Sequence, residues 1–153
     1  MTLIHAVLLG LHLLAVALWV GGMATVLLAV RPAALQVLEA PPLRLQMLTA
    51  TLARFFNLVQ IAITVLLATG LLMLTLLGGR AHWTAHAMLG LGLLMMGLFA
   101  HIRWALFPRL QRAVAEQAWP AAGAAMNAIR PWVGFNLGLG CAVVLIAVLG
   151  RAL

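Results

Sequence analysis

Histidines are the residues of this 153-residue chain whose positions most clearly suggest chemistry. His12 lies within a long apolar run, and Trp19 follows seven residues later, on the same face of a helix. An ionisable side chain at membrane depth is costly to bury, and by default it is a functional group that faces the interior of the bundle. The sequence therefore predicts that His12 belongs to a functional site, with Trp19 beside it.

His86 is predicted to share that site because its depth matches that of His12. His12 lies about nine residues, and His86 about four, from the same end of their helices, and each residue advances a helix by about 1.5 Å. His101 lies roughly 22 Å further along the third helix, too far from His86 to bind the same ion. Imidazole binds iron, copper and zinc. We expect His12 and His86 to bind a metal centre and His101 to be a further cofactor-binding residue.

Glycines and arginines near these histidines extend the predicted site. Gly90 and Gly97 follow His86 at helical spacing and would let a flat ligand such as a porphyrin approach the third helix edge-on. The alternative is that they are small-residue seams for helix packing. Arg103 and Arg130 flank the opposite membrane interface, either as snorkelling anchors or as partners of a haem propionate.

Composition predicts the scaffold that holds these groups. The chain is 66% hydrophobic and 7% charged, and about 20 apolar residues suffice to cross a bilayer as a helix. Four apolar runs meet that length, at residues 3–30, 55–77, 83–106 and 132–149. We therefore predict an all-α integral membrane four-helix bundle with cytoplasmic helical extensions, forming a single domain over residues 1–153. Pro131 is predicted to kink or to start the fourth span.

Charge distribution predicts orientation and excludes nucleic acid as a partner. The formal net charge is +7, and the chain has nine arginines and no lysine. Seven arginines lie in or beside the two connections between spans one and two and between spans three and four, which places those connections in the cytoplasm. The interpretation is a multi-pass protein of the bacterial inner membrane with both termini periplasmic and the lipid bilayer as its surroundings.

The residue types also limit the chemistry. Glu39 and Glu116 are the only acidic residues, which excludes paired-carboxylate catalysis inside the membrane, and no phosphate loop or nucleophile-base pair is present. What remains is redox or transfer chemistry carried by a cofactor. Copper transport would favour soft ligands such as Met95, Met96 and Cys141, but no Met-x-x-x-Met or Cys-x-x-Cys motif groups them in the sequence.

Two motifs resemble a known family. His12 with WVGG at residues 19–22 and RP at residues 31–32 resembles the first helix of the CopD copper-resistance membrane family. HAMLGLGLLMMG at residues 86–97 resembles the histidine-bearing third helix of that family and of the related HemJ-type protoporphyrinogen oxidases. Those relatives are four-helix membrane proteins that bind b-type haem. The resemblance implies that His12 and His86 are haem-site residues. HemJ-type proteins have a lysine shortly after the third-helix histidine. In this chain Ala87 and Met88 follow His86, so that lysine is absent.

The leading hypothesis is therefore a membrane protein that binds haem b and takes part in electron transfer or in a cofactor-dependent oxidation. Its expected partners are a quinone, a porphyrin or a redox protein, and a homo-oligomer is compatible with the sequence. Whether it is a haem-dependent oxidoreductase stays open, and no catalytic residue is assigned. The alternatives are a copper transport or resistance protein that binds copper through His and Met, and a structural accessory subunit.

Overall fold

The computed structural model describes residues 3–76 and 83–150, which form an all-α bundle. The described part of the chain contains no β-strand, and each of its four long helices is apolar enough to cross a membrane. These helices are α1 (Leu3–Val37), α2 (Pro41–Leu76), α3 (Trp83–Ala115) and α4 (Trp119–Leu149). The predicted fold class is confirmed.

Prolines mark where two of the helices begin. The second helix begins at Pro41, and Pro120 lies in the first turn of the fourth. Proline suits a first turn because the backbone N–H that it lacks would have no partner there. Both helices, of 36 and 31 residues, continue well beyond the roughly 20 residues needed to cross a bilayer.

Of the two alternatives predicted for Pro131, a kink or the start of the fourth span, the second is wrong. The fourth helix runs without a break from Trp119 through Pro131 to Leu149, so Pro131 lies inside the helix and does not start it. Proline removes only one backbone hydrogen bond, and helices in membrane bundles tolerate this loss when neighbouring groups compensate. The chain reverses direction before this helix at Gln117, whose φ of 55° is left-handed.

Wider π-helical turns interrupt two of the helices. In α1 they cover Ala17–Gly21 and Val26–Val30, and in α3 one covers Ile102–Leu106. The first of these turns contains the buried Trp19. Such turns occur frequently at functional sites because they shift the register of the side chains that follow.

The helices pack differently in the two halves of the bundle. The terminal half contains the start of α1, the end of α2, the start of α3 and the end of α4. There α1 lies along α2, and α3 lies along α4. The loop half contains the α1–α2 and α3–α4 connections, and all four helices meet in it around a common core. Every Arg and Glu among the described residues is in the loop half.

An aromatic column fills the centre of the bundle. Trp19, Phe99, Phe56 and Phe107 contact one another in that order, edge to face, with ring centroids 6.2, 5.7 and 5.0 Å apart. All four are buried. Such pairs contribute about 0.5–1.5 kcal/mol each beyond their buried area. The column connects α1, α2 and α3 at the middle of the bundle.

A close contact between α1 and α2 provides a test of this packing. A Cβ at Gly22 would overlap the ring of Phe55, which packs in turn against Phe56, whereas Gly21 faces open space. We expect Gly22→Ala to destabilise the bundle by about 1–3 kcal/mol through overpacking. Gly21→Ala should be neutral or stabilising, because alanine favours helix. Melting temperatures in detergent, followed by circular dichroism, measure both, and equal values would contradict the packing described here.

Candidate functional site

A cavity of about 450 Å³ lies in the terminal half, between the α1–α2 pair and the α3–α4 pair. All four helices contribute to its mostly apolar wall. Its volume falls in the range of about 300–1,000 Å³ that is typical of sites for small molecules and cofactors. Among its lining residues are those with side chains that can donate to a metal, namely His5, His12, Met73, Met88, Met95 and Met96.

His12 is held against α2 by two consecutive residues. Its Nδ1 atom lies 2.8 Å from the hydroxyl oxygen of Thr69, which is buried. The next residue is Gly70, where a Cβ would lie only 3.4 Å from Cε1 of the imidazole. Thr69 therefore provides a polar partner for one ring nitrogen, and the ring lies close to Gly70.

The cavity is closed at the middle of the bundle. Trp19 lines it and is only 3% exposed, because its ring packs edge to face on Phe99. Gly140 of α4 also lines it, and a Cβ there would lie 2.8 Å from a methyl of Val20 and 3.2 Å from the terminal methyl of Met95. The absence of a side chain at Gly140 allows three helices to approach one another at this closed end.

The depths of the two potential metal ligands His12 and Met88 follow from these contacts. Val20 and Met95 lie at the same level, since both approach Gly140. His12 precedes Val20 by eight residues and Met88 precedes Met95 by seven, so both lie roughly 10–12 Å farther from the closed end. His12 on α1 and Met88 on α3 therefore lie at similar depth in the two walls of the cavity.

The resulting donor set is soft and neutral. Among residues 3–76 and 83–150, the lining combines imidazole nitrogen with four thioether sulfurs and contains no carboxylate or thiol. Residues 3–76 and 83–150 contain no cluster of three or more His, Cys, Asp or Glu side chains. Thioethers select soft metals, and Cu(I) is the biological ion that they suit best.

The structure brings together only part of the predicted site. His12 and Trp19 line the same cavity, as their spacing predicts. His86 is exposed and does not line the cavity. Met88, two residues later and therefore about 200° further round the helix, lines it instead. The geometry does not pair His86 with His12, and its role in binding a metal or haem stays a prediction.

The other predicted cofactor residues also lie away from the cavity. Gly90 and Gly97 are exposed, and nothing lies within 4 Å of where a Cβ would be. His101 is exposed and contacts Trp132 edge to face, with ring centroids 5.3 Å apart. Their assignment as cofactor ligands has no geometric support here and stays a prediction.

Arg103 and Arg130 both lie in the loop half. The guanidinium of Arg103 lies 5.6 Å from the ring centroid of Phe107, at the end of the aromatic column. Arg130 lines a second, small cavity of about 30 Å³ together with Arg31. Neither arginine lines the large cavity. The propionates of a haem bound to His12 would therefore not contact Arg103 or Arg130 in this arrangement.

Sequence reasoning overlooked most of the cavity wall. Met88, Gly92, Met95 and Met96 follow a spacing of four, three and one, which places them on one face of α3. This helical periodicity was the sequence signal for the cavity-lining face of α3. A motif with one fixed spacing, such as Met-x-x-x-Met, does not describe it. His82, which precedes His86 by four residues, lies outside the described residues.

Comparison with known proteins identifies one family. The family model for CopD, copper resistance protein D, matches residues 49–149. The matched segment contains most of α2, all of α3 and all of α4, and therefore the four methionines of the cavity; α1 with His12 precedes it. Neither the curated proteins nor the solved structures gave a match.

Asn136 is the most deeply buried polar side chain of α4 and was also overlooked. It lies one helical turn before Gly140 and is 1% exposed, and its Oδ1 atom has no hydrogen-bond partner. An unpaired buried amide costs about 1–3 kcal/mol, since water satisfied it in the unfolded chain. Such groups in native proteins often have a functional explanation.

We therefore expect Asn136→Leu to raise the melting temperature, because leucine has the branched shape of asparagine and removes the unpaired amide oxygen. The gain should be on the order of 1 kcal/mol. Asn127→Leu is the matched control, since Asn127 is an exposed asparagine of the same helix, and its melting temperature should change less. A lower melting temperature for Asn136→Leu, measured in detergent, would show that the amide has a stabilising partner.

Proposed function

Because the chain belongs to the CopD copper-resistance family, we propose that it binds Cu(I) in the cavity between its two helix pairs. In this function it acts as a membrane component of copper resistance. The observation that carries the proposal is the convergence of four thioethers and the His12 imidazole on one cavity. This is the copper alternative of the sequence analysis, now supported by the family and by the donor set.

Charge favours the cuprous ion over divalent metals. The Born cost of moving an ion into a medium of low dielectric constant rises with the square of its charge, and it is on the order of 20 kcal/mol for a single charge. Within the part of the chain that the structure describes, the cavity is lined by no carboxylate or thiolate that could balance two positive charges. A monovalent ion with sulfur and imidazole ligands is therefore the metal that this wall accommodates best.

The positions of the donors suggest the order in which copper meets them. Along α1, His5 lies farther from the closed end of the cavity than His12; Met88 lies at a depth similar to that of His12, and Met95 lies at the closed end. We assign His12 and Met88 as the principal ligands, since they face one cavity from opposite helix pairs at similar depth. Met73, Met95 and Met96 complete the soft surroundings.

Arginine placement supports an orientation. The protein is a multi-pass membrane protein by its family and its helices. Seven described arginines lie in the loop half, and cytoplasmic segments are enriched in Arg and Lys. We propose that the loop half faces the cytoplasm of a bacterium and that the cavity belongs to the periplasmic half of the inner membrane.

Haem b is the second candidate ligand, and the size of the cavity favours it. About 450 Å³ of apolar space is far more than a single ion occupies. The imidazole of His12 would hold the iron, and haem would supply the electron-transfer or oxidation chemistry of the leading sequence hypothesis, with a quinone or porphyrinogen as substrate. The cavity does not offer His86 as a second ligand.

Anaerobic titration of purified protein with Cu(I), against a chromophoric chelator, tests the proposal. We expect wild-type protein to bind copper, and we expect His12→Ala and Met88→Leu each to weaken binding by about tenfold or more, equivalent to at least 1.4 kcal/mol. Leucine conserves the volume of methionine, so the second change removes little besides the sulfur.

His101→Ala and Met47→Leu are the matched controls, since both side chains are exposed and outside the cavity. Their copper affinity should equal that of wild type. Metal analysis and a visible spectrum after expression with added haem complete the test. Stoichiometric iron with a Soret band that disappears in His12→Ala would favour haem and contradict the copper proposal.

A further inference from the structure

The hydroxyl of Thr69 contacts two hydrogen-bonding groups, the imidazole of His12 and a backbone carbonyl. The hydroxyl oxygen of Thr69 lies 2.8 Å from Nδ1 of His12 and 2.7 Å from the backbone carbonyl oxygen of Val65. Both separations are hydrogen-bond distances. The hydroxyl has only one hydrogen, so it can donate to only one of these two neighbours.

The carbonyl of Val65 determines where that hydrogen goes. If Thr69 donated to Nδ1, its oxygen would face the carbonyl oxygen at 2.7 Å with no hydrogen between them, and two acceptors at that distance repel. Donation to the carbonyl one turn back is the usual arrangement for a threonine within a helix. The hydroxyl oxygen then has lone pairs directed to His12, and Nδ1 must carry the hydrogen.

We propose that Thr69 is a positioning residue that holds neutral His12 in the Nδ1–H tautomer and leaves Nε2 as the nitrogen that binds metal. The first half of this proposal rests on the contacts of Thr69 alone, and the second half rests on the proposed copper function. In water the neutral imidazole favours the opposite tautomer, with the hydrogen on Nε2. Thr69 therefore reverses the intrinsic preference of the ring.

The ring of His12 also lies beside Gly70, the residue after Thr69. A Cβ at residue 70 would lie 3.4 Å from Cε1, the carbon between the two ring nitrogens. With Nδ1 bonded to Thr69 and the Cε1 edge against the backbone of Gly70, the ring has little freedom to turn over. Outer partners of this kind fix the tautomer and orientation of metal-binding histidines, and losing one typically weakens metal binding by about 10–100-fold.

Nitrogen-15 NMR of histidine-labelled, metal-free protein tests the tautomer directly. Spectra are recorded at about pH 9, where imidazoles are neutral, and His12 is assigned from the signals that disappear in His12→Gln. We expect a protonated Nδ1 and an unprotonated Nε2 in wild type. Thr69→Val keeps the shape but removes the hydroxyl, and it should shift His12 toward the Nε2–H form.

Two variants control this measurement. Thr69→Ser keeps the hydroxyl and should keep the wild-type tautomer and copper affinity. Thr64→Val removes the hydroxyl of an exposed threonine on α2 that donates to the Gln60 carbonyl, and it should change neither property. Thr69→Val should weaken Cu(I) binding by about 10–100-fold.

The possible outcomes separate this proposal from the copper function. An Nε2–H signal for His12 in wild type, or a tautomer unchanged by Thr69→Val, would overturn the positioning role whether or not copper binds. The expected tautomer together with no Cu(I) binding by wild type would overturn the copper function and the metal-binding role of Nε2. The assignment of the hydrogen to Nδ1 by Thr69 would stand in that case.

Discussion

Burial of an imidazole among hydrocarbon is the constraint on which the functional half of this bundle depends. Each ring nitrogen is polar, and an unpaired polar group in apolar surroundings costs several kcal/mol. His12 meets this requirement at Nδ1 through Thr69, and its ring lies close to Gly70. The other nitrogen belongs to a ring that lines a large apolar cavity, where a soft metal ion would complete its coordination.

The cavity exists because the two halves of the bundle are built differently. In the loop half, the buried rings of Phe56, Phe99 and Phe107 fill the space between the helices. In the terminal half α1 pairs with α2 and α3 pairs with α4, and the pairs leave space between them. Trp19 marks the boundary, since it lines the cavity and also packs on Phe99. An aromatic core thus supports a site with soft side chains at its wall.

Much of the fold could be predicted from the sequence, since span length and apolar composition are properties of each segment alone. The four helices and the placement of His12 beside Trp19 followed from such local signals. The residue of α3 that lines the cavity at the depth of His12 could not be predicted equally well, because the rotation of α3 about its axis depends on packing between helices. The depth of His86 suggested that helix, but Met88 faces the cavity. Asn136 was overlooked because its burial depends on neighbours from other helices.

The central claim is that an imidazole of α1 and thioethers of α3 bind one cuprous ion between the helix pairs. X-ray absorption at the copper K-edge of the Cu(I)-loaded protein tests it most directly. The account predicts a cuprous edge, a first coordination shell that contains both imidazole nitrogen and thioether sulfur, and loss of nitrogen scattering in His12→Ala. A shell of nitrogen and oxygen alone, unchanged by His12→Ala, would contradict the account.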